Sequence, residues 1–348
     1  MAYQVGGTEK IKDDNTVTFK NVTVKNRYTF YEFQGETSGY HSGGEHNPAS
    51  TPPYGYVLDT RIDKFPFSSD ANATNVGDLS QERTRTSAGH SSGSNGYTAG
   101  GYNPQGGVYY NTIDKFPVSS HGTATDVGDL TDERYGVSGQ SSDANGYTSG
   151  GYPDSPSTPP TTASNIIDKF PFSSDANATD VGDLTQGRGY LTGQSSSTHG
   201  YNSGGHSSPP YSGTNKNTID KFSFSSDANA SDVGDLTMTQ QGMTGQSSTT
   251  DGYATAGSPD YQSNIHKFSF SSDGNATDVG LLSATRDTGY GAGQSSTTHG
   301  YSSGGYETNP YIAYSDIIYK FPYAISGGNG TDIADLSVAR IHGAGQQV

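Results

Sequence analysis

One long motif recurs along the chain and limits what the chain can fold into. The segment Ile62-Asp63-Lys64-Phe65-Pro66-Phe67-Ser68-Ser69-Asp70-Ala71-Asn72-Ala73-Thr74-Asn75-Val76-Gly77-Asp78-Leu79 returns five more times. Its lysine reappears as Lys115, Lys169, Lys221, Lys267 and Lys320, at spacings of 46 to 54 residues. A second mark, Gly-Tyr-x-x-Gly-Gly, surrounds Tyr40, Tyr97, Tyr147, Tyr201 and Tyr301, and a decayed copy runs from Gly252 to Gly257. A third precedes it, as in Gly193-Gln194-Ser195-Ser196 and Gly293-Gln294-Ser295-Ser296. Self-similarity at such a period marks a repeat architecture, in which each unit buries its face against its neighbours.

Each unit divides into four strand candidates. The first runs from an arginine into Gly-Gln-Ser-Ser, as in Arg134 to Ser142. The second is represented by His199 to Ser203, the third by Ile167 to Phe172 and the fourth by Thr179 to Leu184. Clusters of Gly, Asn, Ser and Pro separate them, which is turn chemistry. No stretch shows the apolar period of a helix. Proline in the third strand suits a strand end or a side without a partner. Asp and Gly in the fourth suit an outer edge. Four short strands in about 50 residues is the arithmetic of a propeller blade.

Composition alone would argue against a core. Leu, Ile, Val and Phe make up 50 of 348 residues, a proportion found in disordered chains. The 25 Tyr and 13 Phe offset this, because aromatic rings bury large areas on pleated surfaces. The net charge of −16 argues against a nucleic-acid partner, which needs clustered cations. There is no cysteine, hence neither a disulfide nor a thiolate metal site. No run approaches the roughly 18 apolar residues of a membrane span, so no membrane insertion is expected. The first residues carry neither a basic start nor an apolar stretch and do not read as a secretory signal. The expectation is a chain made in a host cytoplasm and carried outside by another route, such as a virus particle.

The order of elements resembles that of kelch propellers. Arg134, Gly139, Tyr147, Gly150 and Gly151, with an alternating strand like Ile113-Asp114-Lys115-Phe116, follow the kelch cycle. The resemblance covers the chain after about residue 27, with Val-Gly-Asp-Leu where the last kelch strand carries Trp. It implies an all-β propeller of six four-stranded blades, alternatively seven. The phrase Asp-Lys-Phe-Pro-Phe-Ser-Ser-Asp-Ala-Asn-Ala-Thr-Asp-Val-Gly-Asp-Leu is also similar to repeats in predicted structural proteins of marine tailed phages. Arg340 to Gln346 repeats Arg134 to Gln140 and the sequence then stops. The C-terminal strand near Ile341–Val348 is therefore expected to complete the blade opened by the N-terminal units. Arg27-Tyr28 offers a seventh copy of the first-strand element. Residues 1–26 read as a docking arm, or as part of an extra blade, in which Val17, Phe19, Val22 and Val24 suit an added strand.

Several motifs carry competing meanings. The loop Asp175 to Leu184 has closely spaced oxygen donors, as calcium loops do. However, its first Asp is His121 in one copy and Gly327 in another, so an Asx turn is the simpler reading. Asn72, Asn177, Asn229, Asn275 and Asn329 begin Asn-x-Ser/Thr triplets, which accept glycans only in a secretory pathway. His199 and His299 recur and suit turns better than a metal ring. The least repetitive stretches follow the Gly-Gly mark and are rich in Tyr, Ser and Asn, a composition that suits adaptable contact surfaces. Tyr54, Tyr56, Tyr102, Tyr109, Tyr110, Tyr152 and Tyr211 are the binding candidates there. No catalytic residue, no metal ligand and no cofactor is assigned, calcium being the one considered. The expected function is that of a non-enzymatic virion structural protein of a tailed phage, bound to other virion proteins or its own copies, with host surface glycan as a further partner. The alternatives are a calcium-dependent lectin-like propeller of a bacterium and a glycan-cleaving enzyme. The last needs paired carboxylates, for which Glu32, Glu36, Glu45 and Glu307 are among the few glutamates outside the repeat core.

Overall fold

A computed structural model describes residues 34–47, 57–85, 88–154, 162–207, 213–259, 263–283, 288–308 and 313–348, and the backbone of 16–19 and 22–25. Among the described residues the fold is all-β, without a helix. Accordingly, none of these residues form a helix long and apolar enough to cross a membrane. Thr16–Phe19 and Val22–Lys25 pair with one another, which places Val17, Phe19, Val22 and Val24 in a hairpin of their own.

The repeat folds into six sheets whose four main strands share one antiparallel order; the fifth adds Gly328–Asn329 of the sixth unit, parallel to Thr277–Leu281. The third unit shows it most simply: Ser138–Ser141, Asn145–Ser149, Ile166–Pro171 and Thr179–Asp183 lie side by side in chain order. Pro171 is the last residue of a strand paired on both sides, so its missing N–H breaks no interior ladder. The first unit is assembled from both ends of the chain. Its first strand is Ala344–Gln347, paired with Ser38–Ser42, and the sheet continues through Arg61–Pro66 to Thr74–Asp78.

The first strands approach one another at a glycine. A Cβ on Gly139 would lie 2.2 Å from the Gly89 carbonyl oxygen, one on Gly193 2.2 Å from that of Gly139, and one on Gly245 2.2 Å from that of Gly193. The series continues with Gly293 on Gly245 and Gly345 on Gly293, and Gly89 meets the Gly345 oxygen at 2.1 Å. The sixth step thus returns to its start. No side chain larger than hydrogen fits there, which is why this one position of the first strand is Gly in all six units.

Aromatic rings join neighbouring units. Tyr97 stacks on Phe172 with centroids 4.9 Å apart, Tyr147 on Phe224 at 4.8 Å, Tyr201 on Phe270 at 4.8 Å and Tyr301 on Phe67 at 4.7 Å. In each case the Tyr of one Gly-Tyr element meets the Phe-x-Phe of the following unit, and Tyr253 meets Tyr323 in the same way. Such pairs contribute about 0.5–1.5 kcal/mol each beyond area burial. They supply the core that aliphatic content alone could not.

Polar residues of the repeat make the same joints. Gln140 Nε2 donates to the Tyr201 carbonyl at 3.2 Å, Gln194 to Tyr253 at 3.1 Å and Gln246 to Tyr301 at 2.9 Å. Gln294 reaches Tyr40 at 2.9 Å and Gln346 reaches Tyr97 at 3.0 Å. His90 takes the glutamine's place in the second unit, 2.9 Å from the Tyr147 carbonyl. Near the rim, Asn177 Oδ1 accepts from the Asp129 N–H, Asn229 from Asp183, Asn275 from Asp235 and Asn72 from Asp335. These asparagines of the Asn-x-Ser/Thr triplets thus hold the preceding unit's fourth strand.

Four units bury an ion pair completely: Arg83–Asp114 at 2.9 Å, Arg134–Asp168 at 2.7 Å, Arg188–Asp220 at 2.7 Å and Arg340–Asp63 at 3.0 Å. A hydroxyl from the preceding unit completes the aspartate's partners, as Thr131 Oγ1 does for Asp168 at 2.7 Å and Ser337 Oγ for Asp63 at 2.7 Å. The two remaining units change both partners together. The fifth has Gln240 and His266, 2.9 Å apart, with Thr237 2.7 Å from the other ring nitrogen. The sixth has Thr288 and Tyr319 at the corresponding positions. An unpaired buried charge costs far more than a neutral pair, so the two positions change as one.

Two measurable consequences follow from these joints. Arg134→Gln alone leaves Asp168 without its cation and is expected to cost about 3–5 kcal/mol. Adding Asp168→His copies the fifth unit and should recover at least half of that loss in denaturant unfolding; a double variant no more stable than the single one would contradict the pairing. The second consequence concerns pH. Burial lowers the His90 pKa to about 4, below its ordinary 6.5. As pH falls through 6.5 the unfolded chain takes the proton first, so stability is full above pH 6.5 and declines toward pH 4. His90→Gln, the residue of the other five units, should abolish about 2 kcal/mol of the loss between pH 8 and pH 5. Equal pH slopes for the two proteins would exclude His90 as a source.

Candidate functional site

A binding site in a repeat protein breaks the repeat, and three of the positions that vary from unit to unit lie together. The first lies two residues after the buried arginine or its counterpart: Arg85, Gly136, Tyr190, Gly242, Tyr290 and His342. The second lies just before it: Thr84, Tyr135, Gly189, Gln241, Gly289 and Ile341. The third follows the Gly-Gly mark: Glu45, Tyr102, Tyr152, His206, Ser258 and Tyr306. Backbone pairing brings the second and third together in every unit, as in Tyr135 with Tyr152 and Thr84 with Tyr102.

All six residues of the first position are left-handed, with φ from 54° to 68°. This lets each N–H point at the preceding unit. Gly136 N donates to the Arg85 carbonyl at 2.9 Å, Tyr190 N to Gly136 at 2.7 Å, Gly242 N to Tyr190 at 2.9 Å, Tyr290 N to Gly242 at 2.7 Å and His342 N to Tyr290 at 2.8 Å. These residues stand where the first strands begin. The same strands finish at a second set of contacts, in which the Ser141 N–H donates to Ser195 Oγ at 3.1 Å and the Ser195 N–H to Ser247 Oγ at 2.9 Å. Residues 34–35 cross that serine end, where Gly35 N donates to the Ser295 carbonyl at 2.7 Å and Gln34 Nε2 to that of Ser247 at 3.0 Å. Gln34 and Gly35 therefore lie at the end opposite the variable positions.

At the variable end the rings form a continuous cluster. Tyr102 lies 4.7 Å from Tyr109 and 5.4 Å from Tyr135. Tyr135 lies 5.3 Å from Tyr152 and 6.0 Å from Tyr190. Tyr190 continues to Tyr290 at 5.6 Å, which meets His342 at 5.0 Å and Tyr306 at 6.0 Å, and Tyr306 meets Tyr314 at 5.4 Å. Tyr135, Tyr152 and Tyr190 are buried, whereas Tyr102, Tyr290, Tyr306 and Tyr314 are partly exposed. The Arg85 guanidinium lies over Tyr102 at 5.4 Å and Tyr135 at 5.9 Å. Tyr314 donates to Glu45 Oε1 at 3.1 Å, and His342 Nδ1 is 3.9 Å from the same oxygen. Burial raises the Glu45 carboxyl above its ordinary 4.5 against the opposing hydrogen bond from Tyr314. Burial, with Arg85 nearby, pulls His342 down to about 3.

Of the tyrosines singled out from sequence, Tyr102, Tyr109 and Tyr152 come together in this cluster. Tyr152 is its fully buried floor, its hydroxyl donating to the His206 carbonyl at 3.1 Å. Tyr110 instead covers the buried Arg83, 5.6 Å from its guanidinium. Tyr54, Tyr56 and Tyr211 lie outside the described residues, as does Glu32. Sequence reasoning missed Arg85, Tyr135, Tyr190, Tyr290 and His342. For Arg85, Tyr190, Tyr290 and His342 the signal was a position that varies from Arg to Gly to Tyr to His between otherwise similar units, and for Tyr135 the variable position just before it. Glu45 and Glu307 both lie near the strand Ala313–Pro322, bonded by Tyr314 and by Ser315 (2.7 Å) respectively. Adjacent strand residues point to opposite faces, so these two carboxylates are carried to opposite sides.

No protein-family model matches the chain, and no curated protein is similar to it in sequence. The Glu45 environment is open to direct measurement. Because Tyr314 donates to the ionised carboxylate, Tyr314→Phe should raise the Glu45 pKa further, read from the side-chain carboxyl shift in a pH titration by NMR. An unchanged or lowered value would mean that this hydrogen bond is absent.

Proposed function

We propose that the six sheets are the blades of a single kelch-like propeller, closed by the C-terminal strand, and that it serves as a non-enzymatic structural and recognition part of a larger assembly. One observation carries the reading. The side chains that repeat, namely the Gln, Asn, Tyr, Phe and the Arg–Asp pairs, make the joints between units, while the side chains that vary gather at one end. Gln34 and Gly35 lie at the other end. A module attached at one end and presenting tyrosines at the other suits a component that is anchored in an assembly and faces outward. Tyrosine offers rigid, amphipathic contact area at low entropic cost.

The virion of a tailed phage is the assembly to which the repeat phrase points, with residues 1–26 as the arm toward a neighbouring virion protein and host surface glycan as the partner of the tyrosine end. The outer strands fit life on a particle surface. Asp126, Asp129, Asp180, Asp183, Asp232 and Asp235 line exposed or half-exposed edge positions, and charge on an edge strand discourages pairing with other chains. Cryo-EM of particles from the native source tests the proposal. The expected result is a density of six-bladed outline at a defined place on the particle, with the serine end inward. A protein recovered only free of particles would contradict it.

A further inference from the structure

We propose that the tyrosine end binds a carboxylate-bearing sugar, with the Arg85 guanidinium taking the carboxylate and the partly exposed tyrosine rings taking the sugar's flat C–H face. The inference rests on the recognition reading above and names its ligand class.

Backbone conformation is the first observation. Among the described residues, five non-glycine residues are left-handed, and four of them are Arg85, Tyr190, Tyr290 and His342. An L-residue in that region costs about 1 kcal/mol or more. Gly136 and Gly242 fill the same position in sister units without that cost and keep the same backbone hydrogen bonds. The turn itself therefore does not require these side chains. Four large groups are held at one spot against a local preference, and such clustering is a mark of function.

Charge is the second. Arg61, Arg83, Arg134, Arg188 and Arg340 each have a carboxylate oxygen within 4 Å. Arg85 is the one described arginine with no carboxylate oxygen of a described residue within that distance. It is fixed instead by the faces of Tyr102 and Tyr135. One of its N–H donors meets the Tyr190 side chain; a guanidinium carries five such donors, and the fork that remains matches a carboxylate. Glu45, the nearby acid, attracts Arg85 through its charge but takes its hydrogen bond from Tyr314. A single cation on a protein of net charge −16 suits a small acidic group better than a polyanion, which the surrounding field would repel.

Ring geometry is the third. Tyr102, Tyr290, Tyr306 and Tyr314 present partly exposed rings above the buried Tyr135, Tyr152 and Tyr190. A pyranose has a C–H face that packs on the electron-rich face of an aromatic ring and a rim of hydroxyls that tyrosine hydroxyls can meet.

The test titrates the full-length protein with galacturonate, glucuronate and N-acetylneuraminate oligosaccharides, a neutral galactose oligosaccharide and an acidic peptide, by calorimetry. At least one acidic sugar is expected to bind 10-fold or more tighter than the neutral one. Arg85→Gly and Tyr290→Gly copy the sister units and so should keep the fold, as thermal melting would verify. Each should weaken binding at least 10-fold, and Arg85→Lys should recover only part. The inference is overturned if none of the three acidic sugars binds, if acidic and neutral sugars bind alike, if Arg85→Gly changes nothing, or if only the peptide binds. Particle imaging is independent: a chain found on particles that binds no acidic sugar removes this inference alone, and one that binds acidic sugar but is never on particles removes the assembly reading alone.

Discussion

Six glycines bring the first strands so close that the carbonyl of one meets the Cα of the next. The remaining contacts between sheets depend on this approach. Only at that spacing can Gln140, Gln194, Gln246, Gln294 and Gln346 reach the tyrosine carbonyl of the following unit, and only then do the left-handed residues before the strands form their run of N–H to carbonyl bonds. Leu, Ile, Val and Phe are too few to form a deep core in each sheet, so the sheets face one another through thin layers of Tyr and Phe. Stability is then a property of the joints, as expected for repeat proteins.

The joints are polar to an unusual degree, and the polar groups act in sets. The buried aspartate is held by an arginine of its own unit and a hydroxyl of the preceding one, so it fixes the angle between sheets as well as their spacing. A half-satisfied buried set is worse than an apolar one, which accounts for the paired change to Gln240 and His266. Surface pairs such as Lys169 with Asp227 and Lys320 with Asp70 cross the same joints but are half exposed and contribute little.

Much of the fold could be read in the sequence because the repeat multiplies every local signal. Strand candidates placed at His199–Ser203, Ile167–Phe172 and Thr179–Leu184 agree with His199–Ser203, Ile166–Pro171 and Thr179–Asp183. Pairing of the C-terminal strand with the N-terminal unit was legible from the truncated last copy. The site was less so. Tyr102, Tyr109 and Tyr152 stood out through their tyrosine-rich loops, but Arg85, Tyr190, Tyr290 and His342 sit inside a strongly repeated element. Their meaning lies in a left-handed backbone and in neighbours from other units, as with Tyr190 beside Tyr290, and neither has a local signature. Tyr110 was chosen on composition and proves to cover a buried arginine.

Closure through the C-terminal strand is the central claim, and amide hydrogen exchange tests it most directly. In a closed propeller the amides of 344–347 open only when the whole structure does. They should be protected as strongly as those of the equivalent strand 138–141. Rapid exchange at 344–347, with protection retained at 138–141, would mean that the first sheet lacks its innermost strand in solution and that the ring is open.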